Sequence, residues 1–256
     1  MNGIKKVLAR VISQDTYLKI LHRSFYLLYN TGFLKGKASY KYHYKVQEII
    51  RPDDVIVDIG ANLGYFAKTF SNLTPKGKVI CIEPVPGFYA ILQHFLGKRN
   101  NVVIHNVALG NEPGVLDMVL PEEDGVIRTG LPHIAKDEAE KAANKTVAVQ
   151  IVRGSELLGK EEKIDYIKCD IEGYEWNVFQ EIRPVLERFK PTVQLEISDN
   201  NDQYLLPFFE ELGYVRYGVA NYKFVKEVGA TQQEQGDYLF IPKEKEVDFD
   251  KRHLGK

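Results

Sequence analysis

Cysteine is nearly absent from this chain: there are two, Cys81 and Cys169, each inside a strand-like run (KVICIEP and YIKCDIE). Two thiols so placed make neither a disulfide framework nor a metal-ligand spacing, and each reads as a small apolar residue packed in a strand. Long apolar runs are missing too, with no stretch of 18 or more apolar residues, so no segment reads as a transmembrane helix. The leading residues, MNGIKKVLARVISQ, carry early positive charge but no long apolar run and no small-residue cleavage site. This argues against a secretory signal and sets the expectation of a cytoplasmic protein, or one peripheral at the inner face of the membrane. Internal repeats and low-complexity tracts are also lacking.

What is present suffices for a sizeable core: 256 residues, 44% hydrophobic and 27% charged. The expected organisation is an N-terminal helical cap over 1–50, a main domain over 51–245 with an insertion at 114–153, and a polar tail over 246–256. The net charge of −1 hides an asymmetry, since the chain through Pro52 holds 10 Lys/Arg against 2 Asp/Glu and the remainder 24 against 33. The basic front is also aromatic (Tyr17, Phe25, Tyr26, Tyr29, Phe33, Tyr40, Tyr42, Tyr44). Such a mixture suits an anionic surface, whether lipid headgroups, a phosphorylated glycan or nucleic acid. The preferred reading is plainer: an amphipathic cap whose apolar side chains pack on the core while its lysines are solvated.

Ile4, Val7, Leu8 and Val11 fall at helical spacing, and residues from about 4 to 50 read as two or three helices broken at Thr31-Gly32 and Gly36. After Pro52 short β-branched runs alternate with helical patterns: VIVDIG, KVICIEP, NVVIHNVAL, IDYIKCDI and TVQLEIS, then YVRYGVAN and DYLFIPK. This alternation predicts a mainly parallel sheet with helices on both faces, closed by an antiparallel hairpin at one edge. The insertion from Gly114 to Arg153 reads as two extra strands, GVLDMVL and TVAVQIVR, flanking a mobile polar loop of the kind that carries substrate contacts.

VIVDIGANLGYF, Val55 to Phe66, is a strand, a glycine turn and a helix start. A dinucleotide turn requires G-x-G-x-x-G, whose second glycine lets the backbone approach a pyrophosphate, but Asn62 stands there. Asp58 at the strand end adds a repulsion of roughly 3 kcal/mol per charge pair toward a phosphate ~6 Å away at an effective dielectric of ~20. A cationic, phosphate-free ligand reverses that sign, and S-adenosylmethionine is such a ligand. Glu83, which ends KVICIE 25 residues after Asp58, stands where an acidic side chain accepts hydrogen bonds from both ribose hydroxyls.

With CIEPVPGFYAILQHF (81–95), NVALG (106–110), IDYIKCDIEGYEWNVFQ (164–180) and VQLEIS (193–198), the sequence over about 55–240 resembles the FkbM family of S-adenosylmethionine-dependent methyltransferases. The pairing of D-I-G-A-N-x-G with K-x-D-x-E-G-x-E carries the resemblance. It implies a class I methyltransferase fold, a Rossmann-like α/β sheet of seven strands in the order 3-2-1-4-5-7-6 with one antiparallel strand, and O-methylation, often of sugar hydroxyls in glycans, glycolipids or antibiotics. By position it implies that Asp58, Gly60 and Asn62 line the methionine end. Ala61, Gly64, Tyr65 and Asp170 complete the cofactor contacts on that side, Glu83 holds the ribose, and Pro84, Val85, Asn106 and Val107 border the adenine.

A hydroxyl is a weak nucleophile, so its proton must be taken or its alkoxide stabilised. Strand ends converge on the crevice of an open α/β sheet, which brings Asp170 and Glu196 together near the transferred methyl. Either one carboxylate acts as general base or fixes the acceptor, or Asp170 and Glu196 with Asp199 bind a divalent cation such as magnesium; the metal-free site is preferred. Glu172 and Glu175 stand in the turn after the same strand as Asp170 and can equally cap the helix that follows through its N-terminal dipole. His133 in the insertion is the histidine best placed to swing over an acceptor, whereas His105 is expected to pack. Two positions depart from the family: Ser198 stands where a histidine often follows the fifth-strand acid, and VRGSELL replaces a region that often holds an aspartate.

The leading function is thus an O-methyltransferase acting on a small-molecule or glycan hydroxyl. An RNA methyltransferase is the alternative, encouraged by the basic front alone and lacking the N-P-P-Y-type signature of base methylation. A non-catalytic S-adenosylmethionine-binding module is the third. No nucleic-acid partner is expected; membrane contact through residues 1–50 and a homo-oligomer are both compatible with the sequence.

Overall fold

The computed structural model describes residues 12–123, 126–135, 137–197, 201–220, 222–227 and 237–254. Ile4, Val7, Leu8, Val11, Ser198 and Asp199 lie outside the described residues.

The β-branched run VIVDI forms β1 (Val55–Ile59), ended by Gly60 at φ +76°. It pairs in parallel with β2 (Lys78–Ile82) on one side and β10 (Tyr166–Cys169) on the other. β3 (Val102–His105) extends the sheet beyond β2, and β11 (Thr192–Glu196) beyond β10, both in parallel. β14 (Asp237–Pro242) then inserts antiparallel between β11 and β12 (Tyr214–Ala220), and β13 (Lys223–Lys226) closes the edge as a hairpin on β12.

The main sheet therefore has eight strands rather than seven, in the order β13-β12-β14-β11-β10-β1-β2-β3, and both β14 and β13 oppose the parallel strands. The departure from the implied architecture sits at the β13 edge, where the chain turns at Tyr222 and pairs again instead of leaving the sheet.

Both faces are covered, which is why the central strands are buried along nearly their whole length. On one face lie α6 (Gly154–Leu158), α7 (Glu175–Glu181), α8 (Arg183–Phe189) and α9 (Asp202–Glu211). On the other lie α2 (Lys41–Ile49), α3 (Ala67–Leu73), α4 (Pro86–Leu96) and α10 (Lys243–His253). Pro86 occupies the first helical turn of α4, where its missing N–H costs nothing. The region read as a polar tail is the helix α10, whose Phe249 is 2% exposed and packs on Tyr217 and Phe224.

α1 (Gln14–Asn30) begins at Ser13, whose hydroxyl accepts from the Thr16 amide. It buries Tyr17, Leu18, His22, Phe25, Tyr26 and Tyr29, so most of its aromatics face inward rather than toward a partner.

NVVIHNVAL is not one strand: after β3 the chain leaves the main sheet, and β4 (Ala108–Leu109) joins a second sheet of order β4-β9-β5-β8. That sheet is the insertion, with β5 (Gly114–Val119), β8 (His133–Ile134) and β9 (Thr146–Val152). The stretch between β5 and β9 is not a plain loop: it carries the short pair β6 (Glu122–Glu123) and β7 (Val126–Ile127), and α5 (Glu138–Ala143).

Candidate functional site

At the carboxyl end of β1 the turn Gly60–Gly64 folds against β10. A Cβ on Gly60 would stand 2.0 Å from the Asp170 carbonyl oxygen, so the turn approaches its neighbour as only glycine allows. Asn62 also has positive φ, +52°, a conformation that Asn tolerates better than most residues. Its backbone N–H donates to Glu83 Oε2 at 2.7 Å, and its side-chain amide donates to the Thr129 carbonyl of the insertion.

Helix α1 holds the same turn from behind. His22 Nδ1 donates to the Leu63 carbonyl at 2.7 Å while its ring stacks 3.9 Å from Phe95. Burial lowers the His22 pKa to about 4, so the ring is neutral and carries its proton on the nitrogen that faces the carbonyl. The Tyr26 hydroxyl donates to the Tyr65 carbonyl at 2.7 Å.

In front of the turn lies a cleft that is open to solvent on one side. Val85, Phe88, Ala108 and Leu109 supply apolar wall, and Met118, Thr129, Gly130, Pro132 and Ile134 bring the insertion over it as a roof. Glu83 lines it at 4% exposure. Its Oε1 accepts from the Val85 amide at 2.8 Å and its Oε2 from Asn62, which leaves lone pairs free on both oxygens. Burial nevertheless pushes the Glu83 carboxyl up to about 7 against the pull of those two amides.

Asp58 departs from the expectation. Strand residues alternate sides, so Asp58 points with Ile56 to the cap-side face rather than into the cleft, and it is fully buried. The register sets it opposite Lys168, whose Nζ is 4.0 Å away, and neither carboxylate oxygen has a hydrogen-bond partner. Desolvation raises Asp58 to about 6 despite that ammonium. The charge of the cleft instead comes from Glu83, Asp170 and Glu172, and among the described residues no Lys, Arg or His lines it. A lining of three carboxylates and no cation still suits a cationic, phosphate-free ligand, and an apolar wall beside the Glu83 acceptor suits a nucleoside. The donor set therefore fits S-adenosylmethionine.

Among the described residues, Lys168 is the ammonium that Asp58, Asp170 and Asp237 share. It is 4% exposed, and Asp170, Asp58 and Asp237 hold it protonated against the burial that alone would discharge it. Burial would likewise raise Asp170, but Lys168 at 3.1 Å overrides it and keeps that carboxyl below its ordinary value. Glu196 ends β11 at the rim. Partial desolvation, then the charges of Asp170, Asp237 and Glu172, push it up to about 8. Asp237 is raised to about 6 by burial and by Asp170, and Glu172, at φ +55°, to about 7 by burial, Asp170 and Glu175.

Of the residues expected from the sequence, the structure brings Gly60, Asn62, Glu83, Pro84, Val85 and Asp170 to the cleft, with Glu196 beside Asp170. Ala61 is buried in the cap-side core, Gly64 packs against Leu92, and Tyr65 turns to the cap, its ring 4.5 Å from Phe25. Asn106 does not line the cleft; its amide donates to the Glu83 and Pro84 carbonyls at 2.9 Å each and so fixes the turn that does. Val107 packs on the core, and its neighbours Ala108 and Leu109 form the wall. His133 is held within the insertion, with Nδ1 on the Leu131 carbonyl at 2.9 Å and Nε2 on Glu140 at 3.0 Å, and it is not part of the lining. Glu175 accepts from the Gly173 amide at 2.9 Å and from Asn201, so it shapes the turn before α7. Among the described residues no group of three or more His, Cys, Asp or Glu is arranged to hold a metal ion.

Sequence reasoning passed over Lys168, Asp237, His22 and His43. His43 of α2 stacks 3.7 Å from Phe66, with both ring nitrogens buried and unpartnered, and burial drops its pKa to about 3. Lys168 was visible as the basic member of K-x-D-x-E, and period-two alternation from Asp58 and Lys168 puts both on one face once the strands pair. No local pattern marks His22 or His43.

Residues 58–216 match the family model described as Methyltransferase FkbM domain. The chain is 33% identical over 95 residues to the 2-O-methyltransferase NoeI of Sinorhizobium fredii (strain NBRC 101917 / NGR234), spanning 37% of this chain and 39% of that protein. It is 24% identical over 172 residues to Methyltransferase 1 of Beauveria bassiana (strain ARSEF 2860), spanning 60% of this chain and 68% of that one. The crystal structure of methyltransferase FkbM from Methylobacillus flagellatus KT superposes with a TM-score of 0.53 at 14% identity, covering 92% of this chain and 57% of that one. At that identity the likeness is one of fold.

Proposed function

Because the chain belongs to the family of methyltransferase FkbM domains, and is thus an S-adenosylmethionine-dependent methyltransferase, we propose that it methylates a hydroxyl oxygen, that of a sugar in a glycan, a glycolipid or a natural product. The observation that carries this reading is the pair formed by Asp170 and Glu196 at the ends of adjacent strands beside the cleft. One carboxyl is kept ionised by Lys168; its neighbour, raised to about 8, is poised to exchange a proton near neutrality. Methylation of a hydroxyl needs such a proton acceptor. The printed name of the relative, a 2-O-methyltransferase, supports oxygen as the target, over the two-fifths of that protein's length that is matched.

When bound, S-adenosylmethionine supplies a methyl group made electrophilic by the sulfonium. Glu83 would accept hydrogen bonds from its ribose hydroxyls, and Val85, Phe88 and Leu109, which line the cleft, would flank its base. Asp170, ionised, accepts a hydrogen bond from the acceptor hydroxyl and orients its lone pair. Glu196 in its carboxylate form takes the hydroxyl proton and releases it to solvent at the rim. The insertion roof keeps water from the reacting oxygen, and orientation of this kind is worth roughly 7–11 kcal/mol when complete.

Incubation with methyl-labelled S-adenosylmethionine and a panel of methyl pyranosides tests the reading. An alkali-stable methyl ether on a sugar ring is the expected product. Label found only on nitrogen, on carbon or as an alkali-labile ester sinks it.

A further inference from the structure

The far end of α1 and the turn after it expose the side chains that a folded chain usually hides. Leu27 is 66% exposed, Phe33 67% and Leu28 37%, and they cluster within seven residues. Elsewhere on α1 the apolar face is spent on the core, since Phe25, Tyr26 and Tyr29 are each below 10% exposed. Leu27 and Leu28 therefore lie on the opposite, outward side of the same helix, joined by Phe33 from the turn.

The charge around them has one sign. Between Asp15 and Glu48 the sequence contains no Asp or Glu but six Lys or Arg. Arg23, one helical turn before Leu27, is exposed, and so are Lys35 and Lys37, which flank Phe33 in sequence. Lys37 Nζ lies 5.8 Å from the centre of the Phe33 ring, so the cation and the apolar group form a single patch. Lys45 in the same stretch is already paired with Glu48 at 2.5 Å and is not counted in it.

A protein partner would be free to carry any charge, and a second copy of this chain would bring the same positive patch against its own. An anionic bilayer answers both features at once: acyl chains take Leu27, Leu28 and Phe33, and headgroup phosphates take Arg23, Lys35 and Lys37. We propose that this end of the cap is a peripheral docking surface for anionic membrane lipid.

The helix that bears the patch holds the glycine turn with its other face, through His22 and Tyr26. The docking itself does not depend on the nature of the acceptor.

Co-sedimentation of the full chain with vesicles tests it, using phosphatidylcholine alone and phosphatidylcholine with 30% phosphatidylserine (~30%, chosen to give a strongly negative surface). Binding to the anionic vesicles only is expected. The double variant Leu27→Ser/Phe33→Ser should lower partitioning at least tenfold, and Lys35→Gln/Lys37→Gln should do likewise while weakening its salt dependence. All four side chains are exposed, so unfolding transitions should match those of the unaltered chain and S-adenosylhomocysteine binding should be unchanged. Absence of binding to anionic vesicles overturns the proposal, as does binding that the variants leave intact. A concentration-dependent dimer broken by Leu27→Ser/Phe33→Ser, with no vesicle binding, would assign the patch to a second copy instead. Methyl transfer to soluble pyranosides is measured separately, so failure of docking and failure of the sugar reading remain distinct.

Discussion

Replacing Lys168 by Met removes the ammonium that Asp58, Asp170 and Asp237 share while nearly preserving the side chain's length and bulk. Lys168 and Asp58 are 5% and 1% exposed at the side chain and 4.0 Å apart, and Asp170 is 3.1 Å away. A unit pair at 4 Å is worth ~4 kcal/mol at an effective dielectric of ~20, and loss of one partner of a buried pair costs about 3–5 kcal/mol because the other is left uncompensated. For a chain of this size that corresponds to a fall in Tm of roughly 10 °C at pH 7.5. The sign of the pH effect follows from Asp58, whose folded pKa is already raised to about 6 with the ammonium present and must rise further without it. A raised carboxyl costs stability that is absent below its unfolded pKa near ~4, grows from there up to the folded value and is constant above it, so the extra cost of the variant accrues above about 6. The deficit of the variant should therefore shrink at pH 5.5, and Asp58→Asn in the same chain should recover part of it at pH 7.5. Thermal unfolding followed by circular dichroism measures both. A loss that is equal at the two pH values and indifferent to Asp58→Asn would refute the account of Lys168 as the charge that permits a buried aspartate.

Glu83→Ala should weaken S-adenosylhomocysteine binding at least tenfold by titration calorimetry, because two charge-assisted hydrogen bonds are worth ~1.5–3 kcal/mol each; unchanged affinity would place the ligand elsewhere. Methyl transfer should rise with pH, kcat/KM being half-maximal near the raised value of about 8 and levelling off above it as Glu196 loses its proton, and Glu196→Gln should flatten that profile and lower kcat. A profile that keeps its shape in the variant would remove Glu196 as the base. His22→Ala frees the Leu63 carbonyl behind the glycine turn, so cofactor affinity should fall several-fold although the residue touches no ligand. Equal affinity would reduce the cap to packing alone. Turnover should survive excess chelator; loss of activity restored by magnesium would instead favour a cation held at the carboxylates.

The sequence made legible what local pattern encodes. The strand-turn-helix of VIVDIGANLGYF, the Glu83 acceptor and the convergence of Asp170 with Glu196 are properties of a few consecutive residues or of strand ends that an open α/β sheet must bring together. Three features escaped, two of them because they depend on pairs distant in sequence. Asp58 lies 110 residues from Lys168, and only the pairing of β1 with β10 turns a strand-end acid into half of a buried ion pair. The hairpin of β12 and β13 adds an eighth strand through a turn at Tyr222, a left-handed position held by no glycine. His22 meets the Leu63 carbonyl across 41 residues, a contact that no helical periodicity predicts.

The inference that an acid near β1 favours a cationic ligand survives, but the charge that does so belongs to Glu83, Asp170 and Glu172. Asp58, assigned that role on its position, is screened from the cleft by its own strand's alternation. It sits instead in the buried cap-side face, where Lys168 is its compensating charge. A carboxylate in that place acts on the cleft indirectly: it helps keep Lys168 charged, Lys168 keeps Asp170 ionised, and ionised Asp170 raises Glu196. The buried face thus sets the protonation of the exposed one. A neutral residue at position 58 should leave the cleft's shape intact while shifting the pH at which Glu196 gives up its proton.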